Sequence, residues 1–377
     1  MGNTKKPPLP LSVGDLSEIP SFSQEETMTL TRSRQYPILF FVAALASSAA
    51  MLAQAPLTLP QASPAATASQ TIGLTEVDIT YHRPAVGGRK IWGGLVPNGD
   101  VWRAGANENT TIRFSTPVTV DGKKLEAGTY GLHMIPGEKE WTVIFSNMSV
   151  AWGSFSYDPK EDAARVTVIP RASEFEERLS YRFDNPSETS AEASMHWEKI
   201  AVSFKIEADT PKITVDSLRG QLRGLPRFSW QGWSQAAAYC AQQGVNLPEA
   251  LTWVDRSIGM NENFQNLRVK AAILEKTGDA KVAESLRAQA LKLASETDLN
   301  NYGYQLMSQQ KMAEAIAIFQ RNTREHPQSW NVWDSLAEGY SNAGDKKAAI
   351  ENYSRALKLA PDAQRERIEK AISRLKA

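Results

Sequence analysis

The chain has 377 residues, with 42 Lys+Arg against 42 Asp+Glu and a formal net charge of +0. That balance excludes recruitment to nucleic acid or an anionic membrane by bulk charge, and the length exceeds what one hydrophobic core ordinarily serves, so two domains with appendages are expected. A single cysteine, Cys240, excludes an intramolecular disulfide framework and a cysteine metal cluster; set among alanines in a helical pattern, it reads as a small buried hydrophobe.

Residues 1–27 are rich in Pro, Ser and Glu and lack apolar periodicity, so they read as a disordered leader, or as an over-extended reading frame ahead of a true start at Met28. Arg32 and Arg34 then precede the apolar run ILFFVAALASSAAMLA, Ile38 to Ala53, which gives residues 28–55 the layout of a signal peptide. The run is shorter than the ~20 residues that span a bilayer and is diluted by Ser47 and Ser48. An exported product, periplasmic or secreted, is therefore expected, cleaved between Ala50 and Ala55. Retention as an uncleaved signal-anchor, the one route to a membrane, is the second reading. Residues 56–69, rich in Pro and Ala, read as a semi-stiff linker.

From 70 to 208 apolar and polar residues alternate with period two. In EVDITYH, Val77, Ile79 and Tyr81 share a face; in TTIRFS, Ile112 and Phe114 do. GTYGLHMIP sets Tyr130, Leu132 and Met134 inward and His133 outward, and EWTVIFS aligns Trp141, Val143 and Phe145. RVTVI, ERLSYRF, AEASMHWE and IAVSFKI repeat the pattern, with turns at Asp121-Gly122, Ala127-Gly128, Pro136-Gly137 and Asn185-Pro186. About eight or nine short antiparallel strands, each with one dry face, predict a β-sandwich or flattened barrel and argue against a parallel nucleotide-binding sheet.

The blocks SQTIGLTEVDITYHRP, GRKIWGGLVPNGDVWRAGANENTTIRFS, LEAGTYGLHMIPGEKEWTVIFS and AWGSFSYDPKEDAARVTV, in that order and spacing, resemble the bacterial domain of unknown function 2911 over about residues 69–206. The resemblance implies an exported β-rich protein and brings no established activity with it.

Within this domain the stretch VWRAGANENT, 101–110, is too polar and Gly-rich for a core strand and gathers candidate site residues. Arg83 and Arg103 would clamp an anion, with Asn107 beside them and Glu108 as a base. The competing reading is structural: Arg103 pairs with Glu108 to staple the loop, and Asn107 supplies a left-handed turn. Trp92 and Trp102, in loops, are candidate stacking platforms for a flat ligand. His133 is a second candidate acid or base. No histidine lies in a ligand-pair spacing, so no metal and no cofactor is expected unless His82, His133 and His196 meet across neighbouring strands. Ser154, in WGSFSYD, lacks the elbow and following helix of a nucleophilic serine.

Residues 209–228 form a poorly patterned connector, helical around Val215 to Leu222. From 229 to 377 the period changes. WNVWDSLAEGYSNAGDKKAAIENYSRALKLAPD places Trp333, Leu336, Ala337, Tyr340, Ala349, Tyr353, Ala356 and Pro361 in the order of a tetratricopeptide repeat. About 34 residues earlier, Leu299, Tyr302, Gly303, Leu306, Ala315, Phe319 and Pro327 fall into register. Weaker units precede them, so the resemblance to tetratricopeptide repeats covers about residues 230–360, and RERIEKAISRLK is the capping helix. The resemblance implies a concave groove for a protein or peptide partner, with Gln265, Arg268, Lys276, Asn300, Tyr304, Asp334, Glu338 and Asn342 as its candidate contacts. Two functions stay open: an exported binding scaffold, which the repeats favour, and an envelope hydrolase or lyase acting on an anionic or sugar-like substrate at the 101–110 loop.

Overall fold

The computed structural model describes residues 59–377, so the leader, the signal segment and the first linker residues, 56–58, lie outside the described residues. Ten strands make two antiparallel sheets. The first runs in the order β1 (Ala65–Ile72), β2 (Thr75–His82), β3 (Thr111–Phe114), β6 (Gly128–Ile135), β7 (Trp141–Ser146), β8 (Asp162–Val168). In the second, β5 (Lys123–Leu125) and β4 (Val118–Val120) lie beside the long hairpin of β10 (Ser190–Glu207) and β9 (Arg171–Asp184).

The two dry faces meet. Ile79, Ile112, Leu132 and Phe145 from the first sheet pack with Leu179, Met195, Trp197 and Phe204 from the second, all buried. Tyr81 and Tyr181 touch edge-on across the gap at 4.8 Å, as do Phe145 and Phe204 at 5.5 Å. Each such side chain contributes about 1.5–3 kcal/mol on leaving water, which makes this interface the main source of the domain's stability. The architecture is the expected sandwich. Two of its details differ from the sequence reading. β1 begins at Ala65, inside the stretch read as linker, because its small residues pair along the whole of β2 from Ala65↔His82 to Ile72↔Thr75. AEASMHWE and IAVSFKI are one strand, β10, whose alternation breaks at a bulge where Glu198 takes φ +58°.

Helix α1 (Thr210–Gln221) occupies the connector, capped by Asp209. Beyond it come four antiparallel hairpins and a last helix: α2 (Trp230–Gln243) with α3 (Leu247–Met260), α4 (Phe264–Thr277) with α5 (Ala280–Lys292), α6 (Glu296–Ser308) with α7 (Met312–Glu325), α8 (Trp330–Asn342) with α9 (Lys346–Leu359), then α10 (Asp362–Lys376). Local chemistry sets the hairpin turns. Gly278 and Gly344 take φ +98° and +84° to end α4 and α8, and the next residues, Asp279 and Asp345, cap α5 and α9. Around α7 small residues admit a large one. The ring of Phe319 is fully buried against Gly303 on α6 and Gly339 on α8.

Candidate functional site

Between β2 and β3 the chain leaves the sandwich and returns through the 101–110 loop. Trp102 exchanges both backbone hydrogen bonds with Met134, 2.8 Å each, taking the place of β3 where that strand has ended. Ala104 and Asn107 then turn the chain at φ +50° and +58°. The loop is tied down from several sides: Tyr181 Oη donates to the Ala104 carbonyl at 2.9 Å, and Asn107 Nδ2 to Gln61 Oε1 at 3.1 Å.

The charged residues do not pair as either sequence reading expects. Arg103 does not meet Glu108. It donates instead to the Asn107 carbonyl, closing the turn from inside, and its guanidinium lies 5.0 Å from the centre of the Phe155 ring. Glu108 faces His82 Nε2 at 3.3 Å, and Arg83 Nε donates to the Leu179 carbonyl of β9 at 2.9 Å. The two-guanidinium clamp is therefore not formed. Irregular backbone leaves carbonyls without ladder partners, and a guanidinium with several donors satisfies them. Trp92 and Trp102 are not free platforms either. With Trp141 and Trp197 they form a four-indole cluster, ring centres 4.8–5.7 Å apart, the Trp102 and Trp197 planes within 19°. Their apolar area is spent on one another.

His133 is the larger correction. It is 3% exposed rather than outward, because residues 147–161 fold back over that face of β6. Its Nδ1 lies 2.9 Å from Ser154 Oγ and its ring 5.5 Å from that of Tyr157. Burial pushes the imidazole down to about 4; Asp162 opposes the shift and Arg103 adds to it. The ring is thus neutral at pH 7. Gly131, two positions before His133 on the same face of β6, makes room for it: a Cβ there would stand 3.2 Å from both His133 Nε2 and Asn109 Nδ2 and 2.5 Å from the Met148 carbonyl. Gly153 lies against the Arg103 guanidinium at φ +71°, a left-handed backbone conformation that favours glycine. The end of the covering loop is fixed by Tyr157, whose hydroxyl donates to Asp162 Oδ2 at 2.8 Å and accepts from Arg165 at 2.6 Å. The Ser154–His133 contact escaped sequence reasoning because no helix orients the serine; a glycine turn and a buried imidazole do so instead.

Ser154 and Arg103 share an open cleft of about 220 Å³, whose other walls include Leu95, Pro97, Asp100 and Phe155. Trp152 and Phe155, 61% and 84% exposed, stand on its covering loop. A larger cavity, about 690 Å³, lies between β4–β5 and α1, lined by Leu74, Val118, Leu125, Lys212 and Ile213. Histidine coordination across strands is not available: β3 separates the strands of His82 and His133, and His196 belongs to the other sheet. Cys240 is fully buried in the α2 core.

Among the helices, half of the groove candidates join one repeat to the next. Arg268 lies 3.9 Å over the Tyr302 ring and donates to Gln305 Oε1 at 2.9 Å. Tyr304 Oη donates to Glu338 Oε2 at 2.7 Å, and Asp334 meets Arg367 at 2.8 Å. Gln265 reaches Asp298 only at 3.5 Å, Asn342 donates to the Glu338 carbonyl of its own helix, and Lys276 is exposed. Asn300 is partly buried, with its Oδ1 unpartnered. Between α8 and α10 a cleft of about 420 Å³ brings Glu338 and Asn342 together with Tyr353, Arg367, Lys370 and Arg374. The three cations were not among the sequence candidates, although their spacing along α10 places them on one helix face.

Residues 63–206 match the family described as "Protein of unknown function (DUF2911)". There is no match among curated proteins. Solved structures similar to the helical region include MamA 41-end from Desulfovibrio magneticus RS-1, at 16% identity over 39% of this chain and 82% of that one, TM-score 0.26. Pseudomonas aeruginosa PilF is similar at 17% identity over 40% of this chain and 68% of its own, TM-score 0.26. YrrB, titled a TPR protein with an unusual peptide-binding site, is similar at 16% identity over 43% and 84%, TM-score 0.26. The match to the DUF2911 family falls on the sandwich, and the similarity to these solved structures falls on the helical hairpins that follow it.

Proposed function

We propose that the protein is exported through residues 28–55 and acts as a binding scaffold, its repeats holding a protein or peptide segment along the face that α8 and α10 share. The cleft of about 420 Å³ carries this reading: Asn342 and Glu338, expected as groove contacts from the repeat register, line it together with Arg367, Lys370 and Arg374. Arg367 is engaged by Asp334 and Lys370 by Glu366, whereas Arg374 has no carboxylate partner among the described residues. An extended segment with acidic side chains or a terminal carboxylate suits such a surface, because charge complementarity aids both encounter and register.

A photo-crosslinking residue placed at Asn342 of the full chain tests it, beside the same residue at exposed Lys292 on α5. A partner captured from Asn342 and lost in Arg374→Glu supports the groove; equal capture from both positions, or none, refutes it. Export is tested separately by fusing alkaline phosphatase after residue 60, which gains activity only outside the cytoplasm.

A further inference from the structure

Ser154 sits at a boundary. Its side chain lines the open cleft beside Arg103, while its Oγ lies 2.9 Å from Nδ1 of an imidazole that solvent hardly reaches. A serine hydroxyl becomes a nucleophile when a neutral imidazole within hydrogen-bond reach can take its proton, and both conditions hold here. Arg103 adds a binding element. It is partly buried, its only hydrogen-bonding partner among the described residues is the Asn107 carbonyl, and no carboxylate lies within ion-pairing distance of it. A half-desolvated guanidinium without a counter-charge favours an anion from the ligand. Asp100 also lines the cleft and is exposed, so the far wall carries one opposite charge. Apolar Leu95, Pro97 and Phe155 fill the space between.

We propose that this cleft is an acyl-transfer site in which Ser154 is the nucleophile and His133 its general base, acting on an ester whose acyl part carries a carboxylate held by Arg103. Ser154 Oγ forms a bond to the ester carbonyl carbon as its proton passes to His133 Nδ1. The bond from that carbon to the leaving oxygen breaks, and the proton is returned to the departing alcohol. Water then attacks the acyl-serine carbonyl carbon, giving up a proton to His133; the bond from that carbon to Oγ breaks, His133 returns the proton to Oγ, and the carboxylic acid leaves free Ser154 behind. The site is independent of the groove between α8 and α10, so loss of either activity leaves the other standing.

The test treats the folded full chain with a fluorophosphonate, then maps the adduct by mass spectrometry. A single adduct on Ser154 is expected, absent in Ser154→Ala and formed at least ~100-fold more slowly in His133→Gln, the scale of a lost general base. As a readout that does not depend on the folding of His133→Gln, the parent's labelling rate is also followed against pH. Imidazole assistance gives a rate that is flat from about pH 6 to 8 and falls in acid; an unassisted hydroxyl gives about a tenfold rise per pH unit throughout. The aryl ester of succinate should be cleaved faster than the aryl acetate, and that preference should collapse in Arg103→Gln. No adduct on Ser154, or one formed with the unassisted pH profile, overturns the proposal, and an ester preference that survives Arg103→Gln overturns the carboxylate assignment.

Discussion

The turn between α6 and α7 departs from its neighbours, and the departure has a calculable cost. Where α4–α5 and α8–α9 are joined through Gly278-Asp279 and Gly344-Asp345, this hairpin has Gln310-Lys311, both exposed. The backbone has not changed: Gln310 takes φ +62°, and Lys311, at φ −86° and ψ 60°, matches Asp279 at −97° and 59°. A non-glycine residue in the left-handed region costs about 1–2 kcal/mol, from which the extra entropy of an unfolded glycine removes about 0.5–1. Lys311 supplies no cap to α7 and sets a positive charge at its N-terminus; an aspartate there should add about 1 kcal/mol as a cap and a few tenths through the helix dipole. Gln310→Gly with Lys311→Asp should therefore raise stability by about 1.5–2 kcal/mol. Urea unfolding followed by helical ellipticity measures this as a higher midpoint at unchanged slope. Lys311→Asp with no gain, in a fold of unchanged helicity, would refute the argument that local capping sets these turns.

Gly303→Ala should destabilise by about 1–2 kcal/mol, since its Cβ would stand 2.6–2.7 Å from ring atoms of Phe319 and this overpacking outweighs the helix propensity gained; Gly220→Ala on α1, with nothing within 4 Å, should be neutral or stabilising in the same urea assay. Arg367→Ala should cost about 1–3 kcal/mol by leaving the buried Asp334 carboxylate unpaired, a loss that Asp334→Asn restores in part. His133 is held at about 4 against an ordinary 6.5 by burial, so the unfolded chain binds its proton first as pH falls. Its contribution, at most about 3 kcal/mol, is complete above pH 6.5 and is lost between there and pH 4; the urea midpoint should fall over that window and flatten in a folded His133→Gln variant.

The helical hairpins were legible in the sequence because they are local: a 34-residue register of large and small residues, Gly303 among them, suffices to place them. The sandwich was legible wherever one face meets water. At His133 the same rule failed, because alternation reports which face of a strand is dry only if nothing folds over the wet one, and residues 147–161 do fold over it. β1 escaped for the opposite reason, since Ala65 to Ser69 offer too little apolar contrast to mark a strand. In the 101–110 loop the pairing expected from the sequence does not form. Arg103 and Glu108 are five positions apart, but loop curvature sends one toward Phe155 and the other toward His82.

The four clustered indoles give the sandwich an optical identity. Transition dipoles on Trp92, Trp102, Trp141 and Trp197 are near enough, at 4.8–5.7 Å, to couple as excitons rather than absorb singly. Circular dichroism of the native chain should therefore carry a split aromatic band superimposed on its helical minimum, and the splitting vanishes once the rings separate. In a protein whose helices dominate every bulk signal, that band lets the two halves be watched melting in one cuvette.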